Sequence, residues 1–149
     1  MRKETMAPLS VRPNILRNSK TLESLKSSLD NRQEVLLAFL FGSFAGKRIR
    51  RSSDVDIGIL FKSVPGIHAI NDLREELSSI LQREVDLAIL NHASPVLNMQ
   101  ILKNGILLYA RDRKHFHRFF VDTVNQYDDL KRIRKPCEES VLKGRIYAR

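Results

Sequence analysis

The sequence predicts an α/β (α+β) domain, a small sheet with helices packed on it and a helix at its C-terminal end. Two runs, Val35–Phe41 and Ile57–Phe61, are almost wholly apolar, the pattern of buried strands. Only a short basic stretch separates them, so they are expected to be neighbours. Downstream, segments with apolar residues at helical spacing alternate with short apolar runs. The resulting order is α, β, β, α, β, α, β, α, which builds a sheet covered by helices.

Each element has a local reason. Ser19 or Thr21 is suited to cap a first helix running to about Asp30, with Leu22, Leu25 and Leu29 on one face. The strand Val35–Phe41 follows, then a basic turn, then a strand from Asp54 to Phe61. Pro65-Gly66 breaks the chain. A helix from about His68 to Gln82 turns Ile70, Leu73, Leu77, Ile80 and Leu81 inward. Glu84–Leu90 reads as a third strand. Ser94-Pro95 opens a short helix, because proline suits a first turn, and Asn104-Gly105 closes it. Ile106–Tyr109 is a fourth, short strand. From about Asp112 the chain reads as helix, with Phe116, Phe119, Phe120, Val124 and Tyr127 as an apolar stripe. Pro136 is expected to break or end that helix.

Composition narrows the classes. A chain of 149 residues with 42% hydrophobic residues supports one compact domain. No run of 18 apolar residues is present, so no transmembrane helix is expected. Cys137 is the only cysteine, which points to a cytoplasmic protein without an intramolecular disulfide. The organisation expected is a flexible arm at 1–18, a domain at 19–135 and a basic tail at 136–149. The formal charge of +9 favours anionic partners and leaves RNA contact open.

The chemistry concentrates in one stretch. Gly42-Ser43 ends the first strand, ten residues follow, and Asp54-Val55-Asp56 opens the second. Residues i and i+2 of a strand face the same way, so Asp54 and Asp56 are expected to project together. Two carboxylates so placed repel unless a cation lies between them. Magnesium suits carboxylate oxygens and commonly brings substrate phosphates with it. Asp86, inside the apolar run Glu84–Leu90, is costly there if unpaired. It reads either as a strand-end or ion-paired residue, or as a third carboxylate of a two-metal site. Gly42 allows close backbone approach to a phosphate. Ser43 offers a hydroxyl and an N–H. Lys47, Arg48, Arg50 and Arg51 add cations, on a turn that is equally a solvated basic loop.

Rival motifs fail. Gly42 to Lys47 has three residues between its glycines where a P-loop needs four, and Arg48 stands where Ser or Thr belongs. Asp54-x-Asp56-x-Gly58 runs on into an apolar strand without the closing Glu of an EF-hand. The four histidines are scattered and a lone cysteine builds no zinc site.

Gly-Ser, a spacer of about ten residues and then Asp-x-Asp resembles the signature of the polymerase-beta-like nucleotidyltransferases. The match is closer to their minimal members, the MNT domains. Phe39–Ala45 and Ser53–Asp56 look like their core motif, and Glu84–Leu87 like the segment with their third carboxylate. Leu102–Tyr109 continues the likeness. Tyr127-Asp128-Asp129-Leu130-Lys131 resembles the Tyr-x-Asp-x-Lys pattern of MntA-type antitoxins of HEPN/MNT toxin–antitoxin systems. The resemblance covers roughly residues 20–135. It implies the polymerase-beta-like fold, with a small mixed sheet. It implies transfer of AMP from ATP, with two magnesium ions, onto a tyrosine of a HEPN ribonuclease toxin. Asp54 and Asp56 would bind both metals, Asp86 would hold the catalytic one and help activate the tyrosine, and Gly42, Ser43 and Lys47 would bind the nucleotide. Many members carry a basic residue and then Gly after Gly-Ser-x-Ala. Here Gly46 precedes Lys47, which keeps the turn and shifts the cation. The rival functions are a nucleotidyltransferase for a small molecule or RNA end, and a non-catalytic antitoxin that inhibits by contact.

Overall fold

A computed structural model describes residues 16–42 and 54–143. Within it, four helices and four strands follow the expected order. They are α1 (Ser19–Asp30), β1 (Val35–Phe41), β2 (Val55–Phe61), α2 (Ile67–Leu81), β3 (Val85–Ile89), α3 (Pro95–Asn104), β4 (Ile106–Ala110) and α4 (Arg113–Leu142). The strands form a mixed sheet in the order β3-β2-β1-β4. β1 runs antiparallel to both β2 and β4, while β2 and β3 are parallel. A parallel pair needs a long crossover, and α2 supplies it.

Alternation along β2 sorts the two faces. Val55, Ile57, Ile59 and Phe61 join the leucines of α1 and α2 in one core cluster. On the other face Leu37, Phe39, Leu90, Ile101 and Phe119 pack together, with Leu60 against them. Thus α1 and α2 cover one face, and α3 and α4 the other. Leu73 and Leu77 are almost wholly buried; truncating either to Ala would cost about 2–5 kcal/mol. Gly58 leaves room for the side chains packed over β2: a Cβ there would stand 2.9 Å from Leu90 Cδ2 and 3.4 Å from Ile101 Cδ1.

The helix starts follow local chemistry, with one change. Asn18, rather than Ser19 or Thr21, caps α1: its side-chain oxygen accepts from the Lys20 N–H at 3.0 Å. Ser94 caps α3 by accepting from the Leu97 N–H at 3.2 Å, with Pro95 at the first helical position. Leu16 is buried with the α1 leucines, so the packed body reaches into the segment expected to be a loose arm. The rest of that arm, residues 1–15, lies outside the described residues.

The final helix corrects the sequence reading twice. It runs on through Pro136 to Leu142, so the first part of the expected tail is helical. Proline withholds one N–H from the carbonyl four residues earlier. Residues 131–139 are exposed, so solvent can satisfy that carbonyl. The Ser140 hydroxyl also donates to the Pro136 carbonyl at 2.8 Å. The apolar stripe is also rotated from its expected line. Phe119 and Thr123 are buried, and Phe120 is 47% exposed. The rings of Phe116 and Phe119 sit 6.3 and 5.7 Å from that of Phe39, which fixes the helix on β1. Among the described residues no helix is long and apolar enough to cross a membrane.

Candidate active site

Three strand ends meet at one point. β1 finishes at Phe41 and Gly42, where β2 and β3 begin. Phe41 stands opposite Asp56 in the antiparallel pair, and Asp56 stands opposite Asp86 in the parallel one. Residues paired across neighbouring strands share a face, so Asp56 and Asp86 lie side by side. The register is pinned by the Val55 N–H, which donates to the Glu84 carbonyl at 2.9 Å. The Ser78 hydroxyl of α2 accepts from the Val85 N–H at 3.1 Å and holds the start of β3.

Burial of Val55 and Ile57 on the α1/α2 side turns Asp56 to the opposite face. Asp54 precedes β2 and is exposed, Asp56 is half-buried, and Asp86 is exposed on the edge strand. The Asp56 carboxyl is pushed above its ordinary range. Burial is the largest cause, followed by the charges of Asp86 and then Asp54. Asp54 and Asp86 thus both lie near enough to Asp56 for their charges to act on it.

Among the described residues no three His, Cys, Asp or Glu side chains close into a ready-made metal cage. The donor set still fits magnesium: its hard carboxylate oxygens are the ligand class that ion takes. Magnesium is usually held by one or two carboxylates plus water and substrate phosphates, not by an all-protein cage. An open cluster of mutually repelling carboxylates suits that mode.

Gly42 has a neighbour that was not legible in the sequence. Its φ is +72°, in the left-handed region, and a Cβ built on it would overlap Oδ2 of Asp56. The Asp56 carboxylate lies where a side chain at 42 would stand, a contact additional to the phosphate approach expected of this glycine. The signal in the sequence is a lone glycine directly after an apolar strand. Only the register of β1 on β2 says which side chain fills its space. Ser43, Lys47, Arg48, Arg50 and Arg51 lie outside the described residues. His115 and His117 sit near the start of α4, and Cys137 is exposed near its end. Neither histidine nor Cys137 is among the groups that act on Asp56.

Comparison with known proteins gives the family. Residues 23–114 match the family described as Polymerase beta, Nucleotidyltransferase. The chain is 31% identical over 127 residues to the protein adenylyltransferase MntA of Shewanella oneidensis, covering 85% of this chain and 88% of that one. A crystal structure of a toxin–antitoxin with AMP-PNP superposes with a TM-score of 0.67 at 30% identity, covering 84% of this chain and 98% of that one. A structure of a tri-AMPylated Shewanella oneidensis HEPN toxin with its MNT antitoxin matches with a TM-score of 0.65 at 28% identity, covering 83% of this chain and 97% of the other. The resemblance read from Gly42-Ser43 and Asp54-x-Asp56 is borne out, and the chain belongs to the polymerase beta nucleotidyltransferase family.

Proposed function

We propose that this protein is an antitoxin that transfers AMP from ATP, with magnesium, to a tyrosine of a cognate HEPN ribonuclease toxin and so neutralises it. The observation that carries the reading is the meeting of Asp54, Asp56 and Asp86 at one end of the sheet beside Gly42. Likeness to a protein adenylyltransferase and to an antitoxin solved with its AMPylated toxin supports the choice of acceptor.

Asp54 and Asp56 would hold both magnesium ions, and Asp86 the ion nearer the acceptor. When bound, magnesium neutralises phosphate charge and lowers the pKa of a hydroxyl beside it. Gly42 and Ser43 would hold the triphosphate, with Lys47 adding a cation. Asp86, exposed on the edge strand, is open to a tyrosine hydroxyl and would take up its proton. The phenolic oxygen then forms a bond to the α-phosphorus, the α–β anhydride bond breaks, and pyrophosphate leaves. Such a protein belongs in the cytoplasm, where ATP and the toxin are.

The acceptor has to bring its own shape to so small a domain. We propose that it docks on the distal half of α4, where Lys131, Arg132, Ile133, Arg134 and Lys135 are all exposed. Cations there would meet acidic groups on the toxin and speed association. Charge reversal at Arg132 and Arg134 should slow toxin modification and flatten its salt dependence, with ATP binding unchanged. A wild-type rate at every salt concentration rejects that docking surface.

The main test uses ATP labelled on the α- or the γ-phosphate, incubated with the purified protein and the toxin. Label from the α position alone should reach the toxin, and a chelator should stop it. Label on RNA or on a small molecule instead would favour the wider nucleotidyltransferase reading. Toxin inhibition with no label at all would favour inhibition by contact. Calorimetry gives a second check: ATP affinity should fall steeply once divalent metal is removed.

A further inference from the structure

We infer that Gly42 is a positioning residue for Asp56, its missing Cβ holding open the space that the carboxylate needs to stand beside Asp54 and Asp86. This rests on the reading of Asp56 as a metal ligand. Gly42 follows the last β1–β2 pair, Phe41 with Asp56, so the two residues are locked in register. A Cβ at position 42 would overlap Oδ2 of Asp56 and would stand 3.0 Å from its Cγ and 3.3 Å from its Cβ. The carboxylate thus occupies the volume of a side chain at 42. Rotation about χ2 would swing Oδ2 off an added Cβ but leave Cγ at 3.0 Å, so full relief also takes rotation of Asp56 about χ1. Rotation about χ1 moves both oxygens to a different staggered position, away from the geometry shared with Asp54 and Asp86. The backbone adds a separate demand, because φ of +72° favours glycine and next admits asparagine.

Asparagine therefore separates the two effects. Gly42→Asn tolerates the backbone angle and still introduces a Cβ. The first measurement is Mn2+ affinity of the full-length protein without nucleotide, followed by electron paramagnetic resonance. Gly42→Asn should weaken it about 10- to 100-fold, the scale on which residues that orient metal ligands act. Gly42→Ala should weaken it at least as much. A glycine serving only to approach phosphate would leave nucleotide-free Mn2+ binding at the wild-type level, and that result overturns the inference.

The second measurement is a thermal-denaturation cycle of Gly42→Asn with Asp56→Ala. The drop in midpoint caused by Gly42→Asn should largely vanish once the Asp56 carboxylate is gone. An equal drop in both backgrounds overturns the inference. If Gly42→Asn does not fold alone, folding of the double variant supports the inference and its failure to fold overturns it. If the wild-type protein binds no Mn2+, the metal reading fails, and the thermal cycle still decides the role of Gly42.

Discussion

The two ends of β1 place polar and charged side chains on the same kind of scaffold with opposite outcomes. Beside Val35, Arg111 threads among backbone oxygens. Its Nε donates to the Val35 carbonyl at 2.9 Å, and its Nη2 to those of Arg32 and Asp30 at 2.9 and 3.1 Å. The Tyr109 hydroxyl donates to Asp30 at 2.7 Å, under the Arg111 guanidinium. The neighbouring end of β2 is closed by Asn91, which both accepts from the Phe61 N–H and donates to its carbonyl. Beside Gly42, by contrast, three carboxylates lie near one another, and burial, then the charges of Asp86 and Asp54, hold Asp56 above its ordinary range. The first end answers backbone groups that the strands leave over. The second concentrates repulsion that a cation would relieve. A strand end built to stabilise satisfies its charges internally, while one built to bind leaves them for a ligand.

This contrast is open to test, beginning with the largest effect. Asp54→Asn with Asp56→Asn should reduce label transfer to the toxin by about 1000-fold or more, since ligands of the proposed metals are lost. Its thermal midpoint should stay level or rise, because a repulsion is removed. A folded double variant that still labels the toxin ends the mechanism proposed for this end of the sheet.

Arg111→Ala should do the reverse. Stripping charged donors from three carbonyls should cost about 2–3 kcal/mol in urea unfolding. ATP binding in the presence of magnesium should stay at the wild-type level. A loss of ATP affinity in the folded variant would blur the distinction between the two ends.

Tyr109→Phe removes one hydrogen bond, for about 1 kcal/mol. Burial and the bond to Asp30 push the Tyr109 hydroxyl up to about 12 from an ordinary 10.0. The folded state therefore favours the protonated phenol. Its contribution is complete below pH 10.0 and is lost as pH rises through about 12. The stability gap between wild type and Tyr109→Phe should close over that window. A gap constant across it would show that the Asp30 contact contributes nothing.

Glu76→Gln should have the smallest effect. Arg32 holds the Glu76 carboxyl below its ordinary range through a 2.8 Å contact between α2 and the segment leading into β1. The pair is largely exposed and is worth less than about 1 kcal/mol. Its contribution is present above the ordinary carboxylate range and fades as pH falls through the lowered value in the fold. Acid titration of stability should therefore separate wild type from variant at neutral pH and merge them in strong acid. A difference that persists in strong acid would assign the contact to packing.

Much of this was legible because it is local. Val35–Phe41 was placed to the residue and Ile106–Tyr109 to within one, since a continuous apolar run between breakers has few other homes. Ser94-Pro95 announced α3 through capping chemistry confined to four residues. Errors arose where a neighbour decided. Pro136 stays in α4 because nothing packs over its missing hydrogen bond. Thr123 is buried and Phe120 exposed because the rings on Phe39 set the roll of the helix.

The sequence by itself determined the alternation that sends Asp56 away from Val55 and Ile57. It also determined the apolar runs that become strands and the glycine that ends the first of them. These depend on backbone period and conformational freedom, which a residue carries wherever the chain goes. Only the tertiary structure decided that β3 lies parallel to β2 with Asp86 opposite Asp56, and that the Asp56 carboxylate fills the empty side of Gly42. Strand order and register follow from how α2 buries its leucines on one face and α3 its Ile101 on the other. That packing is a non-local balance of apolar area which no single stretch of the chain contains.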